Sequence, residues 1–182
     1  MRSGGAVPCR TVATLAAMLL YYPAALAAQE KPAPTDAEIA HIAVTANQID
    51  GDLGKLAKTK SRNAQVVRFA ETMVTDHAAV IEQATALVKE LGVTPADNDV
   101  SRSLAASASE ARTKLQSLSG AAFDAAYMER EVAYHQSVID AVSQVLIPSA
   151  RNAQLKGLLE KVLPVLRGHL RHAREVQSEL NK

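Results

Sequence analysis

The chain has 182 residues, 48% hydrophobic and 21% charged, which suits one folded domain with a core and excludes a disordered or fibrous protein. Aromatic residues are only 3%, Trp is absent, and the apolar share is carried by Ala, Leu and Val, so helix formers outweigh strand formers. The formal charge is +1, with Lys and Arg interleaved among acids, and this scatter argues against a nucleic-acid partner.

Residues 1–27 read as a signal peptide. Arg2 and Arg10 form a positive lead, Thr11 to Tyr22 an apolar stretch, and Ala25-Leu26-Ala27 a small-x-small cleavage site. Cleavage before Ala28 would release a near-neutral, soluble product into the periplasm or cell envelope. An uncleaved anchor is the alternative, since Thr11 to Ala28 is nearly long enough to span a bilayer. Cys9 is the single cysteine and lies in this segment, so the processed chain has no disulfide, thiolate ligand or Cys nucleophile. No later apolar run is long enough to cross a membrane.

Residues 28–34 form a Pro-containing linker, and residues 35–182 read as one helical domain. Thr35-Asp36-Ala37-Glu38 is a capping box that opens a helix. Ile39, Ile42, Ala46, Ile49, Leu53 and Leu56 recur at helical steps and carry it to about Lys60, with Asp50 beside the seam. A second helix, about Asn63 to Leu91, follows the line Val66, Ala70, Met73, His77, Val80, Ala84 and Leu87. Gly92 and Thr94-Pro95 stop it.

The Ser- and Ala-rich stretch from Ala96 to Leu118 predicts a shorter, less firmly packed helix that Gly120 ends. A third long helix, about Ala121 to Leu146, has the seam Ala121, Ala125, Met128, Val132, His135, Ile139, Val142 and Leu146, and stops at Pro148. The fourth, about Asn152 to Leu180, carries Leu155, Leu159, Val162, Leu166, His169, Ala173 and Val176. Pro164 should kink it just before His169. The expected fold is all-α: an up-and-down four-helix bundle with one extra shorter helix between the second and third long ones.

His77, His135 and His169 occupy seam positions near the middle of their helices, and Asp50 lies near the middle of the first. At ~1.5 Å per residue, all four fall within ~5 Å of one level. One polar group from each of four helices at one depth is how metal sites are built in bundles. Imidazole and carboxylate together suit a divalent transition metal, with Zn, Fe, Mn and Cu all open. Glu131, one turn before His135, shares its face and is a further candidate ligand. Asp76, Tyr127 and Tyr134 are placed to orient the imidazoles from behind.

The rival reading is a buried His–carboxylate network that only fixes helix register in a non-enzymatic envelope or stress protein, with function on an outer surface such as the Ala96 to Gly120 helix. A two-metal centre needs two inward Glu-x-x-His pairs, and only Glu38 to His41 has that spacing. His172 reads as a solvated rim residue, and Met73 and Met128 as core filler. No Gly-x-Ser-x-Gly turn supports a hydrolase. The residues leave open which reaction, if any, takes place.

Several spaced motifs resemble a known family. They are Phe69-Ala70 with Met73 and Asp76-His77, Phe123-Asp124 with Tyr127, then His135, and Leu163-Pro164 with His169-Leu170. In this order they resemble the exported bacterial family called domain of unknown function 4142, over about Asp36 to Leu180. The resemblance implies a ferritin-like helical fold and an envelope location, and no established activity. Asp50-Gly51-Asp52-Leu53-Gly54-Lys55-Leu56-Ala57 is similar to the family's acidic-x-x-Leu-Gly-Lys-Leu-Ala run, in which Glu is usual at the acidic position.

Overall fold

A computed structural model describes residues 32–182; the expected signal peptide, residues 1–27, and most of the expected linker, residues 28–34, lie outside the described residues. Five helices make up the described chain: α1 (Asp36–Lys60), α2 (Ala64–Glu90), α3 (Asp99–Ser117), α4 (Gly120–Ala141) and α5 (Ala153–Leu180). Among the described residues there is no strand, and no helix is long and apolar enough to cross a membrane.

The ends of α1 and α2 follow from local chemistry. The Thr35 hydroxyl accepts from the Glu38 N–H, and Glu38 Oε2 accepts from the Thr35 N–H at 2.8 Å, which completes the capping box. At the end of α2, Gly92 takes φ 63°. Its N–H donates to Lys89 O and that of Val93 to Val88 O, the paired bonds that satisfy the last carbonyls. Asp36 also accepts from the backbone N–H groups of Arg151 and Asn152 at 2.8 and 3.0 Å, fastening the start of α1 to the start of α5.

The long helices pack pairwise, α1 on α2, α2 on α5, α5 on α4 and α4 on α1, while α3 lies against α1 and α4. One apolar cluster joins Leu53, Phe69, Met73, Phe123, Tyr127, Met128 and Ala173; a second joins Ile39, Ile42, Ile139, Leu146, Leu159 and Leu166. Met73 and Met128 are fully buried in the first. Gly54 sets the closeness of α1 to α2. A Cβ built there would stand 3.1 Å from both Ala70 O and Val74 Cγ2.

Three local expectations are corrected. Gly120 opens α4 instead of ending α3; its φ of 55° places the sharp turn at the start of the second helix, and Leu118 is extended before it. Second, the early part of α4 buries Phe123 and Tyr127 rather than Ala121 and Ala125, which are exposed. Aromatic rings bury far more surface than alanine methyls, and they set the rotation of that end. Third, α4 passes through a π-helical segment, Val142–Leu146, and a last turn, Ile147–Ser149, instead of stopping before Pro148. The proline has no N–H and its ring would press on the carbonyl four residues back, and the wider turn lies directly before it. Pro164 lies within α5, which remains one helix from Ala153 to Leu180.

Candidate metal centre

Four helices contribute to one buried polar group. Asp50, Glu131 and His135 are 0% exposed, His77 4% and His169 6%. The three imidazole centroids form a nearly equilateral triangle with sides of 5.8, 5.3 and 5.4 Å. Asp50 reaches this triangle despite its short side chain, because α1 and α2 approach closely at Gly54, one turn further along.

Each imidazole is held by one nitrogen. His77 Nδ1 donates to Asn47 Oδ1 at 2.6 Å, His135 Nδ1 to the Glu131 carbonyl at 3.0 Å, and His169 Nε2 to Asp76 Oδ2 at 2.9 Å. All three acceptors are oxygens without a proton to give, so the bound nitrogen carries the hydrogen and the other ring nitrogen keeps its lone pair. Those other nitrogens, His77 Nε2, His135 Nε2 and His169 Nδ1, are buried and make no protein hydrogen bond.

The carboxylates repeat the pattern. One Arg130 Nη1 donates to Asp50 Oδ1 at 2.8 Å and to Glu131 Oε1 at 2.7 Å. Asp50 Oδ2 and Glu131 Oε2 are left buried without a hydrogen-bond donor. Asp50 Oδ2 lies 2.9 Å from His77 Nε2 and 3.4 Å from His135 Nε2. Glu131 Oε2 lies 3.5 Å from His135 Nδ1, whereas it is Nε2 of the same ring that stands near Asp50 Oδ2.

Ligand atoms of His77, His135 and His169 come within 4.8 Å of one another, and so do those of Asp50, Glu131 and His135. Two ligands on opposite sides of a transition-metal ion stand about 4.2 Å apart, twice a bond of ~2.1 Å, so each triad is close to an ion's dimensions. His135 belongs to both.

Burial and charge set the protonation of the group. Burial raises the Asp50 carboxyl, but His77, Arg130 and His135 together outweigh it and hold Asp50 ionised, well below the usual range. Burial, then the neighbouring Asp50 charge, pushes Glu131 well above the usual range, with Arg130 opposing. Burial takes His135 down to about 4 against the pull of Asp50, and lowers His169 against the pull of Asp76. At neutral pH both imidazoles are neutral and able to ligate.

His77, His135, His169, Asp50 and Glu131 therefore come together. Asp76 lies behind His169. Tyr134 stands edge-on to the His135 ring at 6.2 Å; its own ring lies 3.9 Å from the Arg130 guanidinium and its hydroxyl donates to Ala46 O. Tyr127 presents a buried hydroxyl with no partner among the described residues, and bonds to no histidine. His172 is half-buried, edge-on to Phe69 at 5.2 Å, outside both triads.

Asn47 and Arg130 were not anticipated. The signals were present: Asn47 precedes Asp50 by three positions and shares its face, and Arg130 stands one turn before Tyr134, the spacing that lays a guanidinium on a ring.

The fold and site define a class: an all-helical protein with a buried histidine–carboxylate group that could hold a metal ion. The family profile described as "Domain of unknown function (DUF4142)" matches residues 22–176, and the chain belongs to that family. No curated protein and no solved structure matches it.

Proposed function

We propose that this chain is an exported, ferritin-like, up-and-down four-helix bundle that binds one divalent transition-metal ion, Zn, Fe, Mn or Cu, for metal handling or for redox protection under stress. The ligands are His77 Nε2, His135 Nε2, His169 Nδ1 and Asp50 Oδ2. Glu131 supports the centre through Arg130 instead of ligating with the three imidazoles, because its free oxygen lies toward the wrong nitrogen of His135.

One observation carries the reading. Every one of these groups is tied by its outer atom and leaves its inner atom buried and unpartnered. Each such atom costs about 1–3 kcal/mol in a network that only holds helices in register. A register-fixing network would instead pair the inner atoms with one another. A ligated histidine normally gives its other N–H to a carbonyl or carboxylate, the arrangement all three show here. Export rests on the signal-like residues 1–27 and is tested by N-terminal sequencing of the secreted product.

Metal analysis of protein purified without an affinity tag tests the site. The expected content is about one ion per chain, falling to background in the His77→Ala, His135→Ala double variant. Equal, substoichiometric metal in both proteins overturns the reading.

A further inference from the structure

Asp50 faces two directions. Its Oδ2 looks toward the imidazole nitrogens and its Oδ1 toward Arg130, which also holds Glu131 Oε1. The carboxylate pair with His135 is itself one of the two triads that have the dimensions of an ion site. In that second triad the positive charge is a guanidinium. Arg130 is largely buried, with 15% of its side chain exposed, and is backed by the Tyr134 ring.

We propose that Arg130 is a stoichiometry-determining residue: it stands in the place of a second metal ion between Asp50 and Glu131 and limits the centre to one. This rests on the metal-binding reading above. The permanent charge of Arg130 neutralises one of the two carboxylates, so a second divalent ion would meet a guanidinium within bonding distance of both oxygens it needs. Removing that charge while keeping hydrogen-bond donors leaves Asp50 as a bridge, Oδ2 to the first ion and Oδ1 to the second. Glu131 and a water completing its shell would hold the second ion.

A guanidinium that served only to anchor the helices would leave the ion count unchanged when replaced. The two roles are therefore separable by stoichiometry. Two ions held on the two oxygens of Asp50 would be magnetically coupled through that carboxylate, a signature that no loss of packing can produce.

The test uses Mn²⁺ alone, titrated into the metal-free full chain, with bound ion counted by equilibrium dialysis and read by electron paramagnetic resonance. Wild type should saturate at one ion, with the sextet of an isolated Mn²⁺. Arg130→Gln should saturate at two and show an exchange-coupled spectrum. Arg130→Lys, which keeps the charge, should bind one, and Glu131→Gln added to Arg130→Gln should return the count to one. Circular dichroism establishes that each variant keeps its helix content. A folded Arg130→Gln protein that binds one ion beside a one-ion wild type overturns this inference and leaves the metal reading standing. Wild type that binds two coupled ions overturns it without any variant, and wild type that binds none removes the reading beneath it.

Discussion

His77 Nε2 and Asp50 Oδ2 lie 2.9 Å apart at the middle of the molecule, yet neither makes a hydrogen bond. The distance suits a bond, but the ring proton is committed to Asn47 on the far side. Two electron-rich atoms this close, both shielded from water, are stabilised by a cation placed between them.

The residues behind the imidazoles should therefore matter nearly as much as the imidazoles. Asn47→Ala frees His77 to rotate and to change tautomer, and Asp76→Ala does the same for His169. Each is expected to weaken metal binding about 10- to 100-fold without abolishing it, measured by competition with a chromophoric chelator. Affinity within twofold of wild type in both variants would contradict the assigned tautomers.

The metal-free protein should be stable only in a restricted pH range. His135 titrates at about 4 when folded and near 6.5 when unfolded, so the unfolded chain takes up its proton first and stability falls as pH drops from 6.5 toward 4. At ~1.36 kcal/mol per unit the His135 contribution is at most about 3 kcal/mol. Glu131 has the opposite sign: its raised pKa favours the folded state at low pH, and that advantage fades as pH rises through the folded value. Urea titrations across pH should show losses on both sides, with the acid limb shallower in His135→Gln. An acid limb unchanged in that variant would remove His135 as its cause.

Two glycines one turn apart should respond in opposite directions. At Gly54 an added Cβ meets a backbone oxygen and a valine methyl at 3.1 Å, so α1 and α2 must separate. Overpacking of this kind costs about 1–3 kcal/mol, which exceeds the ~1 kcal/mol a helix gains from Gly→Ala. Gly54→Ala should lower the melting temperature and, by drawing Asp50 back from His77, weaken metal binding too. At Gly51 the nearest atom is His77 Cβ at 4.0 Å, an ordinary contact, and Gly51→Ala should stabilise by up to ~1 kcal/mol. Calorimetry of the two variants separates them by the sign of the shift.

The parts of this structure that were legible in the sequence are those fixed by local periodicity. Ile39 to Leu53, Val66 to Ala84 and Leu155 to Val176 bury the faces their spacing predicts, and His77, His135 and His169 share a depth because helical rise is constant. Asp76, set about 100° round the helix from His77, falls naturally to the neighbouring helix and its His169. Arg130 was not legible, because a guanidinium on a helix flank reads as a solvated charge until its partner, 80 residues away in the chain, is known. Asn47 was hidden likewise. The π-helical segment depends on how a helix yields around Pro148, and sequence marks the strain there without saying whether the helix stops or widens.

Asp50 joins the fold to the site, and two substitutions should part its roles. Asp50→Ala removes the acceptor from Arg130 and the oxygen facing the imidazoles together. Breaking a buried ion pair on one side costs about 3–5 kcal/mol, because the remaining charge stays buried with less to balance it. Asp50→Asn keeps the shape and an oxygen for Arg130 but gives up the negative charge, so its fold should be the more stable of the two. An amide oxygen is a poor ligand for a transition ion beside three neutral imidazoles, and both variants should lose most of the metal. The expected pattern is a metal-free Asp50→Asn protein with full helix content and a melting temperature above that of Asp50→Ala, no longer shifted by adding Zn²⁺. If Zn²⁺ raised the melting temperature of Asp50→Asn as much as that of wild type, Asp50 would be a partner of Arg130 alone, and the centre would be the three histidines without it.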